Sequence, residues 1–137
     1  MKLIIEDPIK FAAEVVGKDP FATLLGINVE EVRDSYARVS LKIKEEYCNS
    51  AVRAHGGALF SLADQAFAIA CNSRGYAAFA AEMKINYFQG VSPGQTLFAE
   101  ATPLDIRKRI SLWNIDVTDT QGTKIAVAHG LAYHFVK

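Results

Sequence analysis

His55-Gly56-Gly57-Ala58-Leu59-Phe60-Ser61-Leu62-Ala63-Asp64-Gln65-Ala66-Phe67-Ala68 reads as the entry and body of a long buried helix that carries one carboxylate. From Gly56 to about Ser73 apolar residues occur nearly all round the helical wheel, so other elements must wrap this helix on most sides. No Lys or Arg lies within four residues of Asp64 on either side. An unpaired carboxylate away from water is costly to ionise, so its retention points to chemistry. Burial should raise its pKa, which suits a base working near neutral pH.

What wraps the helix follows from the rest of the chain. Val39, Leu41 and Ile43 alternate with Arg38, Ser40, Lys42 and Lys44, the period-two pattern of a half-buried strand. It pairs with residues 27–33 across the Asp34-Ser35 turn. Residues 49–54 read as a loop. Four further strands are expected at 77–88, 96–104, 110–118 and 124–135, broken at Pro93-Gly94, Arg107-Lys108-Arg109 and Gln121-Gly122. In the last of them Ala126, Ala128, Gly130 and Ala132 share a face, and small side chains let a helix lie close. The pattern predicts an α+β domain: an antiparallel sheet of about six strands wrapped around one long central helix. Residues 1–25 form an N-terminal helical cover, with short helices stopped at Gly17 and Gly26. The 137 residues suit one domain.

Composition narrows the partners. Formal net charge is zero and half of the residues are apolar, which argues against a nucleic-acid footprint or a polybasic membrane surface. The apolar run near Met1 is too short for a signal peptide, so a cytoplasmic location is expected. Cys48, Cys71, His129 and His134 show no metal-ligand spacing, so no metal is expected. Cys48 beside His55 lacks a group to orient the imidazole as a thiolate partner would require.

Gly56-Gly57 opens the helix with backbone N–H groups at the positive end of its dipole, where an electrophilic carbonyl could dock and its developing oxyanion be stabilised. Asp64 would then activate a water or attack directly. Seven residues of helix separate Gly57 from Asp64 by about 10 Å, too far for one short side chain to bridge. A two-fold partner with its helix antiparallel would bring Asp64 of one chain to Gly57 of the other, so the spacing predicts a homodimer with shared sites. Asn49 could position water or the carbonyl, or simply shape its turn. His55 is equally open between orienting substrate and bonding backbone. The basic turn Arg107-Lys108-Arg109 offers cations for phosphates or is a solvated hairpin end.

The run from Asn49 through His55-Gly56-Gly57 and Asp64 to Ala70-Cys71-Asn72-Ser73 closely resembles the phenylacetate-pathway (PaaI-like) branch of hotdog-fold acyl-CoA thioesterases. The likeness extends more loosely over residues 28–135. It implies that a helix-start glycine amide, Gly56 or Gly57, polarises the thioester carbonyl, that Asp64 of the neighbouring protomer is base or nucleophile, and that Asn49 and His55 position water, carbonyl or leaving thiolate. It further implies coenzyme A running past Tyr87, Phe88, Gln89, Gly90 and Val91 and the turn Arg107-Lys108-Arg109. No cofactor beyond the coenzyme A thioester substrate is implied, and a homotetramer built as a dimer of dimers is. The sequence departs from some relatives in lacking a hydroxyl at Phe79-Ala80-Ala81-Glu82; Ser73 is one candidate to replace it, and Lys84 and Asn86 are candidates for altered substrate contacts. An aryl or medium-chain acyl group fits the resemblance. A hotdog 3-hydroxyacyl dehydratase and a non-catalytic acyl-CoA binding protein are the alternatives.

Overall fold

A computed structural model describes residues 5–136, so the expectations for Met1 to Ile4 lie outside the described residues. The chain begins with a short helix α1 (Pro8–Phe11), capped by Asp7, whose carboxylate accepts the Lys10 N–H. It continues as a π-helical turn, Ala12–Val16, wider than the regular helix expected from the apolar spacing. Helix α2 (Pro20–Leu25) is capped at its start by the Asp19 side chain and at its end by Gly26, whose φ of 78° only glycine adopts freely.

The six strands are β1 (Asn28–Arg33), β2 (Tyr36–Lys42), β3 (Ala78–Tyr87), β4 (Thr96–Ile106), β5 (Ile110–Asp119) and β6 (Lys124–His134). They form one sheet in the order β1-β2-β4-β5-β6-β3, antiparallel throughout. The central helix α3 (Gly56–Asn72) leaves the second strand by a loop, and the chain re-enters the sheet at its far edge, as β3. The expected architecture is therefore the one observed.

The inner face of the sheet carries Val39, Leu41, Leu97, Ala99, Trp113, Ile115 and Val117, all buried, and α3 lies on it through Leu59, Leu62, Ala66, Phe67 and Ile69. The stripe of small residues on β6 explains how closely. A Cβ at Gly130 would sit 2.8 to 2.9 Å from the Phe67 ring, so only glycine leaves room for that aromatic. Ala126, Ala128 and Ala132 are fully buried beside it.

The sheet does not cover α3 completely. Gly57, Phe60, Ser61, Asp64 and Ala68 retain solvent exposure, and at helical spacing they form one stripe. The helix thus has a covered side that holds the fold and an open side that carries the acid. No helix among the described residues is long and apolar enough to cross a membrane.

Candidate active site

His55 is the N-cap of α3, in extended conformation, and its Nδ1 accepts the Gly57 N–H at 2.8 Å. That bond settles which glycine is open. The Gly57 amide is engaged, the amides of Ala58 and Leu59 reach back to the His55 carbonyl, and the Gly56 N–H has no acceptor among the described residues. A donor aimed outward at the positive end of a helix can hold an oxyanion. An accepting Nδ1 also puts the neutral imidazole proton on Nε2, so His55 presents a second donor.

Gly56 is held from the other side by Tyr87, at the end of β3, whose hydroxyl donates to the Gly56 carbonyl at 2.9 Å. The tyrosine clamps the peptide unit following the open amide. Its neighbours divide: Phe88 is exposed, Gly90 packs under the aliphatic stem of Arg53, and Gln89 donates its backbone N–H to the Ile125 carbonyl. Val91 departs from expectation. Its side chain is 1% exposed and its carbonyl accepts the Ala54 N–H, so it anchors the loop in the core and offers a ligand no side-chain surface.

The loop before α3 is built around Asn49. Its Oδ1 accepts the N–H groups of Ala51 and Arg53, and its backbone N–H donates to the Arg53 carbonyl. The turn-forming reading of Asn49 is therefore real, yet it uses only the oxygen; the Nδ2 donors remain open among the described residues. Val52 in this loop has a φ of 55°, a region disfavoured for a β-branched residue. Strain of this kind persists only where the surroundings enforce it. A pocket of about 380 Å³ lies against the loop and the helix start, lined by Tyr47, Cys48, His55, Gly57, Ala58 and Ser61.

Asp64 is half-buried on the open stripe and has neither ion pair nor hydrogen bond among the described residues. Its pKa is raised, first by desolvation and then by the negative charge of Asp19, an N-terminal residue that nothing in the local sequence pattern connects with it. Asp64 is eight positions beyond Gly56 on α3, about 12 Å along the axis. One chain therefore does not bring its own acid to its own open amide. Ser61 stands between them on the same stripe, donating its hydroxyl to the Gly57 carbonyl at 2.7 Å.

Other candidates fall elsewhere. Ser73 is buried, donates to the Ala70 carbonyl and accepts the Ser35 N–H, so it is engaged and does not replace the missing hydroxyl. Ala80 and Ala81 sit at a bulge in the edge strand β3. Lys84 donates to the Asn86 side chain on that strand. Arg107, Lys108 and Arg109 turn between β4 and β5 at the end of the sheet where His134 and Ala78 pair, opposite to Tyr87 and Gly56; Arg107 bonds Asp105 at 2.7 Å. Cys71 is buried, with its thiol pushed up to about 12 by desolvation, and is chemically inert. No group of three or more metal-ligating side chains occurs among the described residues.

Comparison with known proteins places the chain in a family. The thioesterase superfamily matches residues 53–126, the end of the loop, α3 and strands β3, β4 and β5, just over half of the chain. The acyl-coenzyme A thioesterase PaaI of Escherichia coli K12 is 34% identical over 115 residues, 84% of this chain and 82% of that protein. The solved structure of the E. coli PaaI protein, from the phenylacetic acid degradation operon, superposes with a TM-score of 0.90 at 31% identity, covering 95% of this chain and 94% of that one. A variant of the phenylacetic acid degradation protein PaaI of Thermus thermophilus gives 0.81 at 30% identity, over 84% and 98% of the two chains. A six-stranded antiparallel sheet around one long helix belongs with these matches: the chain is a member of the thioesterase superfamily, a PaaI-like hotdog-fold thioester hydrolase.

Proposed function

We propose that this chain hydrolyses an acyl-CoA, with an aryl or medium-chain acyl group, at sites shared between two protomers. The observation that carries the reading is the open Gly56 N–H on a helix whose only acid, Asp64, lies about 12 Å further along. Each half of the site lacks the other. The edge strand β3 supports the pairing, because its ten residues have a neighbour on one side only. An unpaired edge of that length is a template for a second copy, and a two-fold axis would set the Tyr87 end of one β3 beside the Ala78 end of the other. The helices then run antiparallel, and Asp64 of one protomer faces Gly56 of its partner.

In that arrangement the thioester carbonyl accepts the Gly56 N–H. Asp64 from the other protomer takes a proton from water as the water oxygen bonds to the carbonyl carbon, and the oxyanion that forms is held by the amide. Collapse of the tetrahedral species breaks the carbon–sulfur bond and releases the thiolate of coenzyme A, which receives the proton. Direct attack by Asp64 would pass through an anhydride that water cleaves afterwards, giving the same products. Asn49 Nδ2 and His55 Nε2–H orient the carbonyl or the leaving sulfur. Tyr87, Phe88, Gln89 and Gly90 provide an exposed path for coenzyme A, and the partner's Arg107, Lys108 and Arg109, carried on the Ala78 end that the two-fold axis sets beside Tyr87, offer a basic turn for its phosphates. Two such dimers pack as a homotetramer.

Free thiol should be released from acyl-CoAs, and Asp64→Asn should lower the rate by about 10² to 10⁴. Unchanged release would remove Asp64 from the mechanism. Hydration of an enoyl-CoA without thiol release would instead indicate a dehydratase. The shared site has its own test. Gly56→Pro removes the N–H at the first helical position, where proline fits and the extended His55 before it is compatible. Its ring must move the Tyr87 side chain, 3.2 Å from a Cβ there, by a few tenths of an ångström. Refolding Gly56→Pro together with Asp64→Asn should restore activity, because a mixed dimer keeps one intact site. No restoration would place both groups' work within one chain.

A further inference from the structure

A second and larger cavity, about 760 Å³, lies between the N-terminal segment and the body of the protein. Phe11, Val15 and Val16 form one wall, Ala68 and Asn72 of α3 the floor, and Ala77 to Phe79 the other wall. Its volume is that of a small-molecule site. The floor is hydrocarbon in effect, since the Asn72 amide is fully engaged with Ala68 and Ala78 backbone. Val15 and Phe79 are left 58% and 52% exposed, large apolar side chains with no cover in this chain. The N-terminal wall is pinned rather than loose, because buried Gln65 donates to the Val16 carbonyl at 2.7 Å.

The cavity begins one helical turn beyond Asp64. Ala68 is one turn beyond Asp64 on the same stripe and Asn72 two turns, so its floor runs about 12 Å from the acid along the helix. Asp19, at its edge, lies close enough for its charge to act on Asp64. An acyl tail attached to the carbon that an Asp64-activated water attacks has to leave in this neighbourhood. Charge selects the occupant further. Asp7, Glu14 and Asp19 also line the cavity, and carboxylates there disfavour the phosphates of coenzyme A more than a neutral hydrocarbon.

We propose that this cavity receives the acyl group of the thioester, and that Phe11, Val15 and Val16 determine which acyl groups fit. The proposal rests on the hydrolase reading above. Those three side chains lie outside residues 53–126, the region that matches the thioesterase superfamily, so the N-terminal segment supplies specificity from beyond that common region.

Thiol release from acetyl-, hexanoyl-, decanoyl- and phenylacetyl-CoA would be compared for the parent protein, Val15→Trp and Val15→Ala. Tryptophan narrows the cavity from an exposed position, where folding is not at stake. The decanoyl-to-acetyl ratio of kcat/KM should fall at least about tenfold in Val15→Trp and hold or rise in Val15→Ala. Ratios within twofold of the parent in both variants would overturn the proposal while leaving hydrolysis intact. If the parent releases no thiol at all, the hydrolase reading fails by itself. Calorimetric binding of a decanoyl-CoA thioether then decides: about tenfold weaker binding to Val15→Trp supports the cavity, and equal or absent binding overturns it.

Discussion

The two ends of α3 are both rich in polar groups, and they use them in opposite ways. At the C-terminal end Asn72 ties the helix to β3 through both of its amide groups, Trp113 Nε1 donates to Ser111 Oγ, and Ser111 Oγ faces His134 Nε2 at 2.6 Å, all of it buried. His134 Nδ1 is the one buried side-chain atom without a partner among the described residues. At the N-terminal end the Gly56 N–H and the Asn49 Nδ2 donors stand open and Val52 sits in a strained conformation, and midway along the helix the Asp64 carboxylate is open on the same stripe. A network satisfied at all but one atom fixes structure, whereas open donors beside a strained residue leave hydrogen-bonding capacity unused by the protein. The fold closes one end of its helix and leaves the other unfinished.

The largest break in that contrast comes from Asp64. Its folded-state pKa is raised, so the native state holds the proton more tightly than the unfolded chain. The stabilisation is present below the unfolded carboxylate value and is lost as pH rises through the folded one. Ionised Asp64 therefore weakens the fold at neutral pH. Asp64→Asn should abolish nearly all turnover yet raise the melting temperature at pH 8, with the gain shrinking toward pH 4. In the parent protein the same ionisation should appear as a rise in thiol release with pH, its midpoint above the ordinary aspartate value of about 3.9. A melting temperature that falls in Asp64→Asn would make the acid structural.

The opposite end should respond the opposite way. Ser111→Ala leaves Trp113 Nε1 and His134 Nε2 buried without partners, a loss of about 2 to 3 kcal/mol readable by thermal unfolding. Thiol release at 25 °C should stay within twofold. Lost activity with stability retained would show that this end serves chemistry as well.

What the sequence made legible follows the same division. Alternation at Val39, Leu41 and Ile43 and the small stripe from Ala126 to Ala132 are set by burial on a regular lattice, so strand faces and the close approach of α3 could be read from spacing. The separation of the His-Gly-Gly entry from Asp64 along one helix could be read from spacing as well. Which glycine is open could not, because it depends on the rotamer of His55 and its bond to Gly57. The coupling of Asp19 to Asp64 joins residues 45 apart through the path of the N-terminal segment, and no local pattern records it. Likewise Ser73 and Val91 look available in sequence and are engaged or buried in the fold.

The smallest effect expected is at Val52, and it bears most directly on why the N-terminal end is strained. A left-handed conformation at a β-branched residue costs on the order of 1 to 3 kcal/mol, and asparagine tolerates it far better. Val52 is exposed, so replacing it removes no core packing. Val52→Asn should therefore stabilise the protein by about 1 kcal/mol. Glycine relieves the same strain but adds freedom to the unfolded chain, so Val52→Gly should stabilise less. Were valine there only by accident, both variants would keep full activity. If the strain holds the loop that carries Asn49 in a working conformation, the gain in stability comes with a few-fold loss in kcat/KM, larger for glycine than for asparagine. That ordering, opposite for stability and activity, separates a loop under functional tension from one that is merely imperfect.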